Sequence, residues 1–476
     1  MKRGDRKAQV TGLFLLVAGM TWTAAAGEGV ALAPSRDESA SEPSQEQRPN
    51  IVLILTDDQR ADTLWAMPNV RRRLINKGTK FEKGFVSNSL CCPSRTSILT
   101  GQYSHSTGVY TNYLPHGGFK RFEDDSTVAT WLQDAGYRTG MIGKYLNGYK
   151  RPKYVPPGWD EWRAFSSHRS PGGEFYDYQL SINGDPQEYG SEPEDYSTDV
   201  LARSAARFIR SSEEPFFLYF SPSAPHGNTP APRHLDTFDG KNLAPSPSWN
   251  EKDVSDKPLW VQQRALIRKF NPRLRFYETL LAVDEAVAKF MRVLNKSRER
   301  DNTLFVFTSD NGKGWGEHRW GDKSDPYRGS TNIPYIVRYD PLGADGVVDS
   351  SHLVLNLDLA PTFLDLAGAD APSVEGRSLL PLFEPDSPNW RKAFLLEHLR
   401  DSRKIPSYCG VRTLEWLYVA YATGEEELYN LMLDPYELEN RADDLTLTLT
   451  RDVFRDRVQR LCSPPPPGYS FAFESP

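Results

Sequence analysis

Three stretches of the chain are apolar without alternation, the pattern of strands buried on both faces of a parallel sheet. Asn50–Thr56 reads NIVLILT, residues 215–222 read PFFLYFSP, and residues 303–312 begin TLFVFTS before turning polar. Each run gives way to residues able to do chemistry: Asp57-Asp58, Ala224-Pro225-His226 and Asp310-Asn311. Between them, helical patterns cover residues 126–135, with Gly136 as a C-cap, residues 197–210 and residues 275–294. Strands alternating with helices predict an α/β fold, a large mainly parallel sheet flanked by helices, in which ligands collect at the carboxyl ends of the strands. Segments 150–195 and 227–260, rich in Pro, Gly, Tyr and Trp, read as long loops over the sheet edge. From about Asp386 the pattern shortens to strand-like pieces, YCGVRTLEWLYVAYA and EEELYNLMLD, which predict a smaller C-terminal antiparallel subdomain.

The first residues carry Lys2, Arg3, Arg6 and Lys7, then the apolar VTGLFLLVAGMTW, then Ala24-Ala25-Ala26. This is the layout of a cleaved signal peptide over residues 1–26. Gly12, Gly19 and several threonines leave the apolar stretch short of the ~20 residues a spanning helix needs, so no stable membrane insertion is expected after cleavage. Residues 27–48, rich in Ser, Glu and Pro, read as a solvated linker. The folded part then divides into a main body, 49–385, and the subdomain with its tail, 386–476. Export places the protein in a secreted or periplasmic setting.

With 57 Lys and Arg against 63 Asp and Glu, the net charge of −6 provides no basic field for gripping nucleic acid or an anionic membrane. An anionic substrate must therefore be held by local cations. The four cysteines, Cys91, Cys92, Cys409 and Cys462, are too few for a disulfide scaffold and form no paired Cys-x-x-Cys motifs. An oxidising compartment permits a Cys409–Cys462 disulfide without requiring one.

Asp57, Asp58, Asp310 and the amide oxygen of Asn311 supply four oxygen ligands from two strand ends, a set suited to a hard divalent cation such as calcium or magnesium. The competing reading of Asp57-Asp58 is a helix cap or a solvated turn. Residues 87–105 read SNSLCCPSRTSILTGQYSH, and the Cys-x-Pro-Ser-Arg within it resembles the signature of the sulfatase family. LTDDQR at 55–60, TGMIGKYLNGY at 139–149, SAPHGN at 223–228, TSDNG at 308–312, GEHRWGDK at 316–323 and LDLAPTFLDLAG at 357–368 follow in that family's order. YDYQLSING at 176–184 and WNEKDVSDKP at 249–258 are most similar to the branch of N-acetylglucosamine-6-sulfatases and heparan endosulfatases.

The resemblance implies a formylglycine made from Cys91 by a formylglycine-generating enzyme, and a Ca2+ ion, with Mg2+ as the alternative, sharing one of its oxygens. It implies hydrolysis of sulfate monoesters of an aryl compound or a glycan, the hydrated aldehyde acting as nucleophile. Arg95 is then expected to hold the formylglycine and the metal-side carboxylates, Lys144 and Lys323 to contact the sulfate, and His226 to share proton transfer with Lys323. His318 is a further lining residue. Asn147 stands near a position where some relatives carry histidine, and it can donate a hydrogen bond but cannot titrate. Arg328 stands where an acidic residue is usual, which implies a changed partner for Lys323 and a pocket tuned to a more acidic substrate. Tyr176, Tyr178 and Trp249 are either sugar-stacking or packing residues. Competing functions are a phosphate or phosphonate monoester hydrolase of the same superfamily and an inactive binder of sulfated glycans.

Overall fold

The strand expected at Asn50–Thr56 forms with those bounds, and its packing explains why the run is unbroken. Ile51, Leu53 and Leu55 enter one hydrophobic core while Val52 and Ile54 enter another, because successive strand residues point to opposite faces. A sheet covered on both sides has no face left for polar residues. The computed structural model describes residues 48–473 apart from 169–173, 214, 272, 371, 385–388 and 404. The expected signal segment, the linker up to residue 47 and the division at 385/386 lie outside the described residues.

The ten-stranded sheet runs in the order Val347–Asp349, Thr79–Phe81, Tyr335–Arg338, Thr303–Ser309, Asn50–Thr56, Phe216–Ser221, Arg138–Gly143, Glu161–His168, Tyr178–Ile182, Asp185–Glu188. The five strands from Thr303–Ser309 to Glu161–His168 are mutually parallel. Antiparallel strands flank them on both sides. Helices Ser197–Ser211 and Leu274–Ser297 cover one face, burying Leu201, Phe208, Leu280 and Phe290. Helices Val128–Asp134 and Leu359–Ala367 cover the other with Val128, Leu132, Leu359 and Phe363. The three predicted helices are thus present, with every end within three residues of the expected bound.

The expectation of a loop over 150–195 is corrected: three of the ten strands lie there. Tyr178, considered as a sugar-stacking residue, is fully buried on Tyr189 with ring centroids 4.8 Å apart, and its hydroxyl donates to the Asp195 carbonyl. Aromatic strands with Gly and Pro at their turns carry loop-like composition, which masked the pattern.

The C-terminal pieces form the expected antiparallel sheet of four strands, Phe394–His398, Tyr408–Arg412, Trp416–Tyr421 and Glu426–Asn430. One face of it packs Phe394, Leu396, Leu417 and Val419 with Phe85, Tyr327 and Leu355 of the main body. The other face packs Leu395, Val411 and Tyr418 against Phe454 and Val458 of an unforeseen helix, Thr448–Leu461. Cys409 and Cys462 are disulfide-bonded, tying the second strand to the residue after that helix. Among the described residues no helix is long and apolar enough to cross a membrane.

Candidate active site

Four adjacent parallel strands end on the same side of the sheet, and each delivers candidate residues. Asp310-Asn311 follow Thr303–Ser309, Asp57-Asp58 follow Asn50–Thr56, His226 comes from the turn after Phe216–Ser221, and Lys144 follows Arg138–Gly143. Gly143 has φ +129°, and a Cβ there would sit 1.9 Å from the Ser221 carbonyl oxygen. Only glycine allows the approach that lets the Lys144 N–H donate to that oxygen at 2.7 Å. Asp58 adopts φ 66°, a left-handed conformation that aspartate tolerates better than most residues, and its N–H donates to Asp310 Oδ1 at 3.1 Å. Cys91 is the first residue of the wholly buried helix Cys91–Thr100, with Arg95 about one turn further along.

These elements converge on one cluster. Ligand atoms of Asp57, Asp58, Cys91 and Asp310 all lie within 4.8 Å of one another, and all four residues are buried. The Cys91 thiol donates to Asp57 Oδ1 at 3.7 Å. Arg95 donates through Nε to Asp310 Oδ2 at 2.8 Å and through Nη1 to the Lys144 carbonyl at 2.8 Å and Ser221 Oγ at 2.6 Å. Its Nη2 lies 3.5 Å from Asp57 Oδ2. Lys144 pairs with Asp57, and Lys323 pairs with Asp58 while its Nζ also lies 2.8 Å from Cys91 Sγ. His226 lies with Nε2 3.9 Å from Asp58 and Nδ1 3.5 Å from Glu174.

Charge and burial set the protonation of the cluster. Burial pushes the Asp57 carboxyl up, but Lys144, His226 and Arg95 outweigh it and bring it down to about 2. Asp58 is held well below the ordinary range against burial, chiefly by Lys323 and Lys313. Asp310 moves upward, driven by burial and by Asp57. Burial raises both cysteine thiols to about 12. Their surroundings separate them: Cys91 faces the acids and Lys323, whereas Cys92 belongs to the apolar core and donates its backbone N–H to Asn112. His226 is raised despite burial by Glu174, Asp57 and Asp58.

The Asn311 amide donates from Nδ2 to Asp58 Oδ1 at 2.6 Å and to the Gly312 carbonyl at 2.8 Å, leaving its buried Oδ1 without a partner. Three buried carboxylates with a free amide oxygen fit an oxygen-ligated divalent cation.

The remaining candidates have side-chain partners outside the cluster or none among the described residues. His318 is buried, with Nδ1 2.8 Å from Glu251 and its ring centroid 4.2 Å from that of Tyr327. Asn147 is half-buried, with an unpartnered Oδ1. Arg328 donates its backbone N–H to Glu437 and acts electrostatically on Asp62, Lys83 and Arg412. Lys323 itself pairs with Asp58 and lies beside Cys91, and among the described residues it makes no contact with Arg328. Sequence reasoning missed Lys313, with Nζ 3.2 Å from Asp58. It also missed Glu174 and Arg403, the latter paired with Asp322 beside Lys323. Lys313 was within reach, since it stands two residues after Asn311; Glu174 and Arg403 come from irregular segments without a periodic signal.

A family model described as Sulfatase matches residues 49–369, and one described as N-sulphoglucosamine sulphohydrolase, C-terminal, matches residues 316–463. An "Extracellular sulfatase SULF-1 homolog" of Drosophila melanogaster is 35% identical over 387 residues, covering 76% of this chain and 34% of that protein. The chain likewise spans 49% of a "Putative extracellular sulfatase Sulf-1 homolog" of Caenorhabditis elegans. The N-acetylglucosamine-6-sulfatase of Capra hircus is 32% identical over 495 residues, covering 89% of this chain and 87% of its own length. Among solved structures, one described as a complex with its substrate D-glucosamine-2-N,6-O-disulfate aligns with a TM-score of 0.76 at 26% identity, covering 87% of this chain and 98% of that one. A phosphonate monoester hydrolase of Agrobacterium radiobacter shares the fold, with a TM-score of 0.72 at 21% identity over 88% of this chain and 96% of its own. The buried cluster at the strand ends and the family model matched over residues 49–369 lead to one conclusion: the chain belongs to the sulfatase family.

Proposed function

We propose that this protein is a sulfuric ester hydrolase acting on a sulfated sugar, with position 91 matured to formylglycine and a calcium ion held by Asp57, Asp58, Asp310 and the Asn311 amide oxygen. The observation that carries the reading is the placement of Cys91 within 4.8 Å of three buried carboxylates, with Lys323 Nζ 2.8 Å from its sulfur. The calcium ion supplies positive charge that stabilises developing negative charge, and the hydrated formylglycine supplies an oxygen nucleophile where the thiol stands.

The side chains of the chain do the rest. Arg95, Lys144, Lys313 and Lys323 set four permanent cations against three carboxylates, so the site attracts an anion although the whole molecule is acidic. Lys144 and Lys323 are the cations aimed at both the acids and position 91, and they would hold the sulfate oxygens as charge shifts toward the leaving group. Lys323 Nζ is placed to give or take a proton at position 91. Glu174 lies 3.5 Å from Nδ1 of His226 as a charge contact, and Nε2, 3.9 Å from Asp58, faces the cluster, where it would donate to the departing sugar oxygen. Arg95 ties Asp57 and Asp310 to the strand ends and keeps the donors in place.

The sugar assignment is supported by the named relatives and by the neighbour whose substrate is a sulfated glucosamine. Export is supported by the extracellular relatives and by the N-terminal pattern. The test compares turnover of N-acetylglucosamine 6-sulfate, nitrophenyl sulfate and nitrophenyl phosphate by protein matured with a formylglycine-generating enzyme. The expected order has both sulfates ahead of the phosphate and the sugar sulfate first. A higher kcat/KM on the phosphate would replace this reading with the phosphoester one.

A further inference from the structure

Arg328 is the departure from the family pattern that the cation centre does not use. It borders a series of adjoining cavities whose walls include no side chain of that centre. The smallest, about 70 Å3, is walled by Lys83, Phe85, Arg328 and Arg412. It shares Lys83, Arg328 and Asn332 with a cavity of about 330 Å3. That cavity in turn shares Arg60, Glu317 and Tyr436 with one of about 270 Å3 walled by Trp249, Phe270, Tyr277 and Trp315. A cationic end is thus joined to an aromatic end.

Glu82 lines the same end, and Asp62, Glu317 and Glu437 line the larger cavity, yet two of the cations form no ion pair. Among the described residues, neither the half-buried Lys83 ammonium nor the exposed Arg328 guanidinium forms an ion pair or hydrogen bond, although Glu82 acts electrostatically on Lys83 and Asp62 on Arg328. Glu82 pairs with Lys80 at 3.0 Å, and Glu437 is taken by Arg412 Nη1 at 2.8 Å and by the Arg328 backbone N–H at 2.9 Å. The Lys83 ammonium is lowered, first by burial and then by Arg328 and Arg412, against the raising effect of Glu82. Like charges gathered beside a small cavity are relieved by an oxyanion, which Arg binds as a fork and Lys as a point charge. Trp249 and Phe270, half-buried next door, suit the apolar faces of pyranose rings, whereas Tyr277 is buried and Trp315 is covered by Arg60 at 4.5 Å. Phosphate alone would use the cationic end but leave the aromatic cavity without a role.

We propose that Lys83, Arg328 and Arg412 form a second oxyanion subsite that, with the adjoining aromatic cavity, holds a further acidic stretch of a sulfated glycan chain away from the bond being cleaved. The proposal rests on the sugar-sulfate reading above and adds to it that the substrate is an extended polyanion. The oxyanion it takes is a sulfate or a carboxylate on the sugar.

The experiment uses the full chain and the double variant Lys83→Ala/Arg328→Ala. Calorimetry measures binding of a heparin-derived hexasaccharide and of its chemically desulfated, carboxylate-bearing counterpart, while kinetics are measured on N-acetylglucosamine 6-sulfate. The double variant should bind the sulfated hexasaccharide at least tenfold more weakly, with monosaccharide kcat and KM unchanged. Lys83→Arg/Arg328→Lys, which keeps both charges, should restore most of the affinity. An equal loss on the desulfated hexasaccharide identifies a carboxylate as the bound group, and a loss confined to the sulfated one identifies a sulfate. Unchanged hexasaccharide binding in the double variant, no hexasaccharide binding by the wild type, or a matching rise in monosaccharide KM would each overturn the subsite. Calorimetry needs no turnover, so failure of the hydrolase reading would show separately as inactivity on every sulfated sugar.

Discussion

Arg95→Lys tests whether the cation centre depends on one guanidinium holding several partners at once. Arg95 is fully buried and bonds Asp310 at 2.8 Å, the Lys144 carbonyl at 2.8 Å and Ser221 at 2.6 Å, with Asp57 at 3.5 Å. Lysine preserves the charge but presents a single nitrogen, so it cannot span Asp310 on one side and the Lys144 carbonyl on the other. Hydrogen bonds involving a charged group contribute about 1.5–3 kcal/mol each, so losing two costs about 3–6 kcal/mol. If about 3 kcal/mol of that loss falls on the transition state, kcat/KM drops roughly 100-fold, with the remainder appearing as lower stability. Arg95→Ala would be less informative, because removing one partner of a buried ion pair costs about 3–5 kcal/mol and blurs loss of fold with loss of function. The assay is kcat/KM on N-acetylglucosamine 6-sulfate alongside urea unfolding of the same preparation. A lysine variant within threefold of wild type on turnover, with an unmoved unfolding midpoint, would refute the claim that the fork organises the centre.

Cys91→Ala should abolish turnover while Cys92→Ala retains most of it at some cost in stability, since Cys91 faces the acids and Cys92 lies in the apolar core; intact-mass measurement and kinetics of the two proteins check this. Asp310→Asn should lower bound calcium measured by elemental analysis together with activity, and full calcium occupancy in that variant would remove Asp310 from the ligand set. His105 lies 3.1 Å from Glu397 and 3.5 Å from Glu375, and although burial opposes it, these acids raise its pKa from 6.5 to about 10. A raised histidine stabilises fully below its unfolded value and loses that contribution as pH rises through the folded one, so the wild type should lose at most about 5 kcal/mol, reduced by solvent screening, between pH 6.5 and 10. His105→Gln should be less stable at pH 6 and show a flatter pH profile in urea unfolding; parallel profiles would count against the pairing.

The parts of the fold that could be read from the sequence are those where one physical constraint acts alone. Asn50–Thr56, Phe216–Ser221 and Thr303–Ser309 are buried on both faces, so burial dictated every position and their polar endings stood out. Glu161–His168 and Tyr178–Ile182 lie toward the sheet edge, where Arg163, Gln179 and Tyr178 mix polar and aromatic positions and blur any period. Helix Thr448–Leu461 was missed for a related reason: Phe454 and Val458 are buried, whereas Leu449 and Val453 are exposed. Its apolar residues therefore follow no single face.

The same distinction separates the legible part of the site from the rest. Asp57, Asp58, Asp310 and Asn311 were visible because buried strands give way to them, and residues 91–95 because a short motif resembles a known signature. Glu174, Lys313 and Arg403 reach the centre or its margin from segments whose own sequence carries no pattern, so only the assembled fold brings them there. Arg328 shows the converse. Position in a motif suggested a role beside Lys323, but the N–H contact with Glu437 and the grouping with Lys83 and Arg412 place it beside another cavity. Sequence register assigns a residue to an element, whereas the direction a long cation takes is decided by which acids are already paired. Around Asp58 the carboxylate oxygens are taken by Lys323 and Lys313, and the cationic partners around Glu82 and Glu437 are Lys80 and Arg412. That prior pairing leaves Lys83 and Arg328 without an ion pair among the described residues, which is what the proposed second subsite rests on.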